Sequence, residues 1–562
     1  MKMKWLSRAL AVMLTGVMTA GMLSGCAEQK STNANQTGGV QTESDSQTGT
    51  SEQAGNQKED IDVSQGLTYP VDTDVELSLY IGYQGRLSKS SAYEDYSSVP
   101  FYAGLSERTG IQIDWQTYAI GADHNAAYNL LLQEEELPNI IFSICCDDAD
   151  ELYNDGLIYD LTDYLPEYAP DFWEYINLPE NAANKRAVTN ADGRFLFIPF
   201  IRESNFNITF AGPVVRQDWL DELGLKAPVT LEDWEEVLIA FKENYGAVLS
   251  FAQKRFDMAG IAGGTGAFAA LTLNYYVEDG QVKCANAQEE WKDFLEVMHR
   301  WYEMGLIDVD FATADDTAVR SKALNGETGV VVTAMSQLTN FIADAEKEGT
   351  KAQWKGLSYP RTEEGAPTTY IQTSSQTWSP YDGTMVTTSC SEEELIAAIE
   401  FLNYGFSEEG MVYWNFGEEG VSYEVTEDGG YQFTELITGD ERGISQALQD
   451  YTGMYSSGIG IQMEDMVRAK NDKVSAEAVE IWIENTVAEQ YVCPPYSRTE
   501  NEQTLYNDIN TQMKTYVSEM ALKFVTGDES LDNFDKFLEQ LDAYGLQELL
   551  ESEQVAYDRY MK

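Results

Sequence analysis

The sequence is poor in histidine and in positive charge. It contains only two histidines, His124 and His299, among 562 residues. So few histidines leave no room for a His-rich metal site and argue against His-dependent acid–base catalysis. Lys and Arg number 36 against 94 Asp and Glu, which gives a formal net charge of −58. A nucleic-acid-binding protein needs a basic face, and an anionic membrane surface repels so acidic a chain, so we exclude both as direct partners.

Long apolar runs are also lacking, and the one near the start is short. Three basic residues among the first eight precede an apolar stretch from Ala9 to Met22, and Leu-Ser-Gly then leads to Cys26. A run of this length behind a basic start is typical of a signal peptide and is too short to span a bilayer comfortably. Its last four residues resemble the bacterial lipobox. This implies that residues 1–25 are removed and that Cys26 is lipidated, for example with palmitate; an ordinary secretory peptide is the alternative.

Residues 26–66 contain almost nothing that could form a hydrophobic core. The stretch consists mainly of Ser, Thr, Asn, Gln, Gly and acidic residues, a composition that predicts a flexible, disordered tether. We expect the folded part to begin near residue 67 and to sit on the extracellular face of the membrane, with the lipid as its only anchor. Cysteine is scarce as well: five remain after Cys26, and their spacing fits no zinc site.

Strand and helix patterns alternate from residue 75 onward. The stretches Val75–Ile81, Ile111–Tyr118 and Asn139–Ile144 have the composition of strands, with helical patterns between them. A β-α-β-α-β order predicts a mostly parallel sheet covered by helices, and the ligands of such sheets bind beyond the carboxyl ends of the strands. Two later helices should begin at capping boxes, at Thr230 and at Ser391, because each has an acidic residue three positions on.

Seven segments between about residue 70 and the C-terminus match, in order, the pattern of one protein family. They are Leu137–Phe142 with Asp155–Leu161, Asp192–Pro199, Arg216–Leu225 with Pro228–Thr230, Tyr276–Gly280 with Trp301–Asp308, Asn325–Gly329, Phe401–Gly410 and Phe524–Met561. The most specific is Arg-Gln-Asp-Trp-Leu-Asp-Glu-Leu-Gly-Leu, the third of these. Together they resemble the family-1 extracellular solute-binding proteins of bacterial ABC importers, in particular the large lipoproteins of Gram-positive bacteria.

This resemblance implies the α/β, two-lobe type II fold of periplasmic binding proteins, with a hinge and a ligand cleft between discontinuous lobes. It places residues 67–203 and 370–410 in lobe one, and residues 204–369 and 411–562 in lobe two. It also implies delivery of a captured solute to the permease subunits of an ABC transporter. We expect a monomer with no cofactor and no metal.

A sugar site combines aromatic platforms with polar side chains, because a sugar ring has an apolar C–H face and a hydroxyl edge. Residues of these types that follow predicted strands or the Ser-Glu-Glu-Gly helix, or that lie in a polar stretch outside the family pattern, are the ligand-binding candidates: Tyr83, Gln84, Arg86, Asp147, Asp148, Gln337, Trp378, Tyr381 and Trp414. Burial in the core is the alternative for each aromatic residue, and a solvated helix cap for the two aspartates. The net charge favours a neutral oligosaccharide, whereas an acidic one would need Arg202 and Arg216.

An enzyme is the weaker interpretation. Carboxylate pairs such as Glu408-Glu409 and Glu418-Glu419 would suit a glycosidase, but among 94 acidic residues such pairs arise by chance. The glycine-rich stretch Gly260–Gly266 lacks the Lys-Ser/Thr of a P-loop, and no Gly-x-Ser-x-Gly motif occurs. The sequence therefore predicts an oligosaccharide-binding protein of an ABC importer that is not an enzyme. A surface-anchored glycoside hydrolase, a binding protein for a non-sugar solute such as a peptide, and a static adhesin or scaffold stay open as alternatives.

Overall fold

The computed structural model of the chain describes residues 66–82, 93, 95–119, 122–144, 146, 148–252, 260–369, 383–455 and 457–562. Within these ranges the chain forms two larger β-sheets covered by helices and two short antiparallel hairpins. The strands, in chain order, are β1 (Glu76–Ile81), β2 (Gln112–Thr117), β3 (Ile140–Ile144), β4 (Ile198–Arg202), β5 (Ala211–Arg216), β6 (Val248–Phe251), β7 (Tyr275–Glu278), β8 (Gln281–Cys284), β9 (Thr328–Ala334), β10 (Trp354–Gly356), β11 (Gly383–Val386), β12 (Tyr423–Val425), β13 (Tyr431–Phe433) and β14 (Gly460–Gln462).

The first sheet has the strand order β14-β4-β11-β3-β1-β2. Strand β1 pairs in parallel with β2 and β3, and β4 pairs in parallel with β14, whereas β11 runs antiparallel between β3 and β4. In β1, Leu77 and Leu79 on one face and Tyr80 on the other are all buried, as expected for a strand covered on both sides. The prediction of a mostly parallel sheet is confirmed, and the carboxyl ends of five strands lie at one edge.

The second sheet has the order β10-β5-β9-β6. Strands β6 and β9 are parallel, while β5 is antiparallel to both β9 and β10. Every residue of β9 is buried, because this central strand carries apolar or hydroxyl side chains on both faces. Because β6 and β9 are parallel, their carboxyl ends share one edge of the second sheet. Gln337 comes three residues after the end of β9.

Helices cover both sheets. Their bounds are Pro100–Thr109, His124–Leu131, Ala149–Asn154, Leu165–Tyr168, Pro170–Asn177, Ala182–Val188, Asn205–Ile208, Gln217–Leu223, Leu231–Tyr245, Glu289–Glu303, Asp316–Asn325, Met335–Lys347, Glu392–Tyr404, Glu408–Phe416, Glu435–Thr438, Ile444–Tyr451, Glu464–Ala469, Lys473–Ile483, Glu500–Thr526, Phe534–Tyr544 and Leu546–Tyr560. The capping boxes at Thr230 and Ser391 are both present, as predicted. Among the residues described, no helix combines the length and apolar character needed to cross a membrane.

Two large hydrophobic cores hold the lobes together. One belongs to the second sheet and includes Trp234, Trp291 and Trp301, together with apolar residues of the three C-terminal helices. The other lies under the first sheet and continues through Trp482 to Val331 on the opposite face of the second sheet. Apolar packing is therefore continuous through the passages that connect the two lobes.

The sheets divide the chain differently from the prediction in one region. Strand β14 pairs with β4, and Trp414 packs against Phe101 in the core that lies under the first sheet. Residues 411–462 thus lie largely with lobe one, although the resemblance placed them in lobe two. A three-residue strand has no recognisable sequence pattern, and a helix pattern does not reveal which sheet the helix covers, so the return to lobe one left no signal in the sequence.

Candidate functional site

Seven of the predicted residues lie outside the described part of the chain. They are Cys26, Tyr83, Gln84, Arg86, Asp147, Trp378 and Tyr381. Their proposed roles stay predictions. Among the described residues, the ends of β1 and β3 and the start of β11 lie at the same edge of the first sheet.

A cluster of polar and aromatic side chains lies at the carboxyl ends of β2 and β3. The Tyr128 hydroxyl donates a hydrogen bond to Asp148 Oδ2 over 3.1 Å. The ring of Tyr118, which directly follows β2, lies 5.9 Å from the ring of His124 and 6.3 Å from that of Tyr80. Burial, and then the neighbouring Tyr118, raise the pKa of Tyr80 to about 12. We call these five residues the lobe-one cluster. Tyr80 and Tyr128 are buried in a hydrophobic cluster, whereas Tyr118, His124 and Asp148 are half-buried. The half-buried members join rings to a carboxylate, the combination that suits a sugar.

Of the lobe-one cluster, only Asp148 was predicted. Asp148 is half-buried and also starts the short helix Ala149–Asn154, where its side chain makes no cap hydrogen bond. Tyr118, His124 and Tyr128 were missed, although one signal was available. Tyr118 is the last residue of the predicted second strand, so it stands at the same edge as the residues chosen after the first and third strands.

Gln337 lies at the corresponding edge of the second sheet. It occupies the first turn of the helix Met335–Lys347, directly after β9, and is half-buried. Its Oε1 accepts a hydrogen bond from Asn340 Nδ2 over 3.2 Å, within the same helix. The structure therefore places an amide pair, partly exposed, at the carboxyl end of β9.

Trp414 is a core residue in this structure, in contrast to the prediction that it binds ligand. Its side chain is only 1% exposed, and its ring lies 4.9 Å from that of Phe101 and 6.2 Å from that of Phe142. A Cβ atom added to Gly453 would come within 2.0 Å of the indole, so the packing is close on that side too. The position of Trp414 after the Ser-Glu-Glu-Gly motif could not distinguish a cleft residue from a core residue; packing against the first sheet decides it.

Hydrogen bonds tie together two of the chain segments that connect the sheets: residues 203–210, between β4 and β5, and residues 463–472, between β14 and the helix Lys473–Ile483. Ser204, just after β4, donates from Oγ to Glu464 Oε2 over 2.5 Å. Arg468 donates to Glu464 over 2.6 Å and to Glu480 over 2.8 Å, and its guanidinium lies 4.0 Å from the ring of Phe206. Glu480 belongs to the helix that packs on β10. A single arginine thus links both passages to the second lobe.

Arg216, one of the two arginines considered for an acidic ligand, is neutralised inside lobe two. Its guanidinium donates to both carboxylate oxygens of Asp218, over 2.8 and 2.6 Å, and stacks 4.1 Å above the ring of Trp219. Although burial opposes it, this pairing holds the pKa of Asp218 below its ordinary value. Arg216 is therefore part of the scaffold of the second sheet.

Arg202, the other arginine, has a second cation near it. Arg202 ends β4 at the carboxyl edge, and its guanidinium lies 5.0 Å from the ring of Phe200. Lys470 follows the helix that begins after β14 and is half-buried. Its ammonium donates a long hydrogen bond, 3.4 Å, to the carbonyl of Tyr455 and lies 5.1 Å from that ring. Burial, followed by the positive charge of Arg202, lowers the pKa of Lys470 to about 8.

The carboxylate pairs considered for catalysis have structural partners. Glu409 and Glu418 are both 60% exposed, and both pair with Arg108, over 2.8 and 3.6 Å. They therefore form an exposed ion-pair network of the kind found on many protein surfaces. Among the described residues, no group of three or more His, Cys, Asp or Glu side chains is placed so that it could hold a metal ion.

Comparison with known proteins agrees with this architecture. The chain is 24% identical over 482 residues to Lipoprotein LipO of Bacillus subtilis (strain 168), which covers 80% of this chain and 87% of LipO. It is 22% identical over 460 residues to the polygalacturonan/rhamnogalacturonan-binding protein YtcQ of the same organism, covering 80% of this chain and 86% of YtcQ. Among solved structures, an HMO-binding, ABC-transporter-associated solute-binding protein of Bifidobacterium longum infantis superposes with a TM-score of 0.69 at 19% identity, covering 87% of this chain and 100% of the other.

The Bifidobacterium structure has the two-lobe type II fold of solute-binding proteins, and the present chain shares this fold. The family model described as bacterial extracellular solute-binding protein matches residues 95–412, more than half of the chain. That segment includes both sheets except β1 and β14, and the edges at which Asp148 and Gln337 lie. The chain therefore belongs to the bacterial extracellular solute-binding proteins.

Proposed function

We propose that this protein is a lipid-anchored extracellular receptor that binds an oligosaccharide and delivers it to the permease of an ABC transporter. The observation that carries the proposal is the pair of sheet edges. The lobe-one cluster lies at the carboxyl edge of the first sheet and Gln337 at that of the second, and hydrogen-bonded passages connect the two lobes. A ligand that contacts both edges would stabilise a closed arrangement through its greater affinity for that state.

The chemistry of the edges supports a saccharide. Tyr118 supplies a half-buried ring, while Asp148 and Gln337 supply acceptors and donors for sugar hydroxyl groups. The named relatives give independent support, because YtcQ is a polygalacturonan/rhamnogalacturonan-binding protein and the Bifidobacterium structure is that of an HMO-binding protein. A net charge of −58 opposes the approach of a polyanion, which favours a neutral or weakly charged oligosaccharide.

The N-terminal pattern supports the lipid anchor, and the family supports the transporter as the partner. Lipidation of Cys26 would hold the receptor at the outer face of the membrane by its acyl chains alone, since two or more chains anchor a protein stably. A receptor that only binds and releases needs no catalytic group. We therefore propose that the bound glycan leaves the protein unchanged. The ion-paired, exposed carboxylates give no support to the alternative of a glycoside hydrolase.

A thermal-shift screen of the mature chain tests the proposal. The Cys26→Ser variant removes the lipid acceptor and keeps the remaining sequence. It would be screened against neutral and acidic oligosaccharides and against peptides, with the sugars analysed afterwards by chromatography. A ligand at 100 times its Kd should add about 2.7 kcal/mol to the unfolding free energy, a shift that is readily measured. A stabilising glycan recovered intact supports the receptor; a cleaved glycan indicates a hydrolase, and stabilisation by peptides alone would contradict the choice of a saccharide.

Two variants locate the binding site. Tyr118→Ala removes a ring at the end of β2, and Asp148→Asn removes a charge in the lobe-one cluster. Asp428→Asn is the matched control, because Asp428 is an exposed residue of the turn between β12 and β13. Both cluster variants should reduce the ligand-induced shift, while the control should retain it. An undiminished shift in both cluster variants would place the ligand elsewhere.

A further inference from the structure

The helix Leu546–Tyr560 of lobe two reaches across to lobe one. Its apolar side is buried in the core of the second sheet. At its end, the hydroxyl of Tyr560 donates a hydrogen bond over 3.3 Å to the carbonyl of Ala183, in a helix that packs on the core under the first sheet. The guanidinium of Arg186, on that same helix of lobe one, lies 5.3 Å from the centre of the Tyr560 ring. One aromatic side chain of lobe two therefore contacts both the backbone and a cation of lobe one.

A second contact joins the lobes beside the first. Ser497 of lobe two donates from Oγ over 3.3 Å to the carbonyl of Thr189, which follows the same helix of lobe one. The carbonyl of Ser497 accepts a hydrogen bond over 3.0 Å from Nη2 of Arg559, the residue before Tyr560, and Arg559 pairs with Glu502 over 2.6 Å. The lobe-two side of both contacts is thus fixed to one helix. We call the five contacting residues the lobe clasp: Ala183, Arg186, Thr189, Ser497 and Tyr560.

The lobe clasp lies on the side of lobe one that faces the cleft. Asn190, next to Thr189, donates from Nδ2 over 2.7 Å to Asp150 Oδ1. Asp150 belongs to the first turn of the helix that begins after the carboxyl end of β3, and ligands of such sheets bind beyond the carboxyl ends of the strands. Hinge closure brings the facing sides of two lobes together. Contacts on this side are therefore made when the lobes close and lost when they open.

We infer that the lobe clasp is a conformational device that stabilises the closed arrangement and so sets how readily the lobes close before a ligand binds. Its residues lie outside the connecting segments 203–210 and 463–472, so the clasp can open while the hydrogen bonds of those segments stay intact. Two hydrogen bonds of 3.3 Å are long, and Arg186 is exposed, so each contact is weak enough to form and break repeatedly. A ligand that prefers the closed state then has less free energy to supply. The inference rests on the lobe closure of the proposed function, but not on the nature of the solute.

The distance between the lobes in the ligand-free protein tests the inference. Spin labels at Leu130→Cys in lobe one and Val309→Cys in lobe two, positions that are 64% and 74% exposed, report this distance by pulsed electron paramagnetic resonance in the Cys26→Ser chain. Tyr560→Ala removes the ring and the hydroxyl of the clasp. The ratio of closed to open molecules should then fall by roughly three- to tenfold, as expected for the loss of one hydrogen bond and one exposed cation–π contact. Val555→Ala is the matched control, since Val555 lies on the same helix and is 56% exposed; it should leave the distances unchanged.

A double-mutant cycle assigns the effect to the contact between the lobes. Arg186→Ala removes the lobe-one partner of the Tyr560 ring. Because the two side chains act through each other, the double variant should shift the closed-to-open equilibrium by less, in free energy, than the sum of the two single variants. Ser497→Ala removes the hydroxyl that bonds to Thr189 and should shift the equilibrium in the same direction by a smaller factor. Thermal unfolding of each variant verifies that both lobes stay folded.

Three results would overturn the inference. One is an unchanged distance distribution in Tyr560→Ala, another is a shift towards shorter distances, and the third is full additivity of Arg186→Ala and Tyr560→Ala. None of these measurements uses a ligand, so the failure of every saccharide to bind would not alter their outcome. If the clasp variants behave as the parent while a glycan still closes the lobes, the inference fails and the proposed function stands.

Discussion

The buried position of Trp414 makes a sharp prediction, because the same residue was a ligand-binding candidate in the sequence. Its indole is 1% exposed and packs against Phe101 and Phe142. A buried aromatic side chain removes about 150–250 Å² from water, and at about 25 cal/mol per Å² this amounts to about 4–6 kcal/mol. Because the surroundings relax in part, Trp414→Ala should cost about 3–5 kcal/mol of unfolding free energy.

The assay is thermal unfolding of the ligand-free protein, followed by circular dichroism and calorimetry. For a folding unit of about 150–250 residues, each kcal/mol shifts the melting temperature by about 2–4 °C. The transition of lobe one should therefore move down by about 6–20 °C. Trp414→Phe is the matched variant, since it keeps a ring against Phe101 and should lose less. A melting temperature equal to that of the parent, combined with loss of glycan binding, would refute the core assignment and return Trp414 to the ligand site.

Three further predictions concern single contacts. Glu553 is buried and accepts hydrogen bonds from Nε and Nη2 of Arg498, over 2.7 and 2.6 Å. Glu553→Ala should therefore cost about 3–5 kcal/mol in urea unfolding; an unchanged midpoint would contradict this. Asp148→Asn should weaken glycan binding in calorimetry by about tenfold, as expected for the loss of one charged hydrogen bond, with unfolding unaffected. Arg320 holds the pKa of Asp344 below its ordinary value. This pair therefore stabilises the fold above about pH 4, and the stabilisation is lost as the pH falls further. Asp344→Asn should cost up to about 1 kcal/mol of unfolding free energy at neutral pH and progressively less in acid; a cost independent of pH would be inconsistent with the pairing.

Local patterns in the sequence predicted local structure well. The capping boxes at Thr230 and Ser391 begin helices where the side-chain spacing required them. The predicted strands at the start of the folded part form adjacent parallel strands. Strand β1 is buried on both faces, as expected in the interior of such a sheet, whereas β2 forms the edge and exposes Gln112 and Asp114. These features depend on neighbours within a few positions, which is the range over which a sequence can be interpreted without its fold.

Features that depend on distant packing escaped the sequence. The indole of Trp414 is buried because Phe101, more than three hundred positions earlier, lies beside it. Strand β14 is too short for any pattern, yet it places Gln462 beside Arg202. The proximity of Tyr118 to Tyr80 arises from the parallel pairing of β1 with β2. In each case the residue type was visible in the sequence, and its neighbours were decided by topology.

The central claim is that an oligosaccharide closes the two lobes and is then released unchanged. The most direct test is the distance between spin labels on the lobes, measured by pulsed electron paramagnetic resonance. Leu130→Cys and Val309→Cys give suitable sites, since these residues are 64% and 74% exposed and belong to lobe one and lobe two; the labelled parent protein is the background control. Addition of a stabilising glycan should shift the distribution to shorter distances, with the glycan recovered intact. An unchanged distribution at saturating glycan, or recovery of cleaved sugar, would contradict the account.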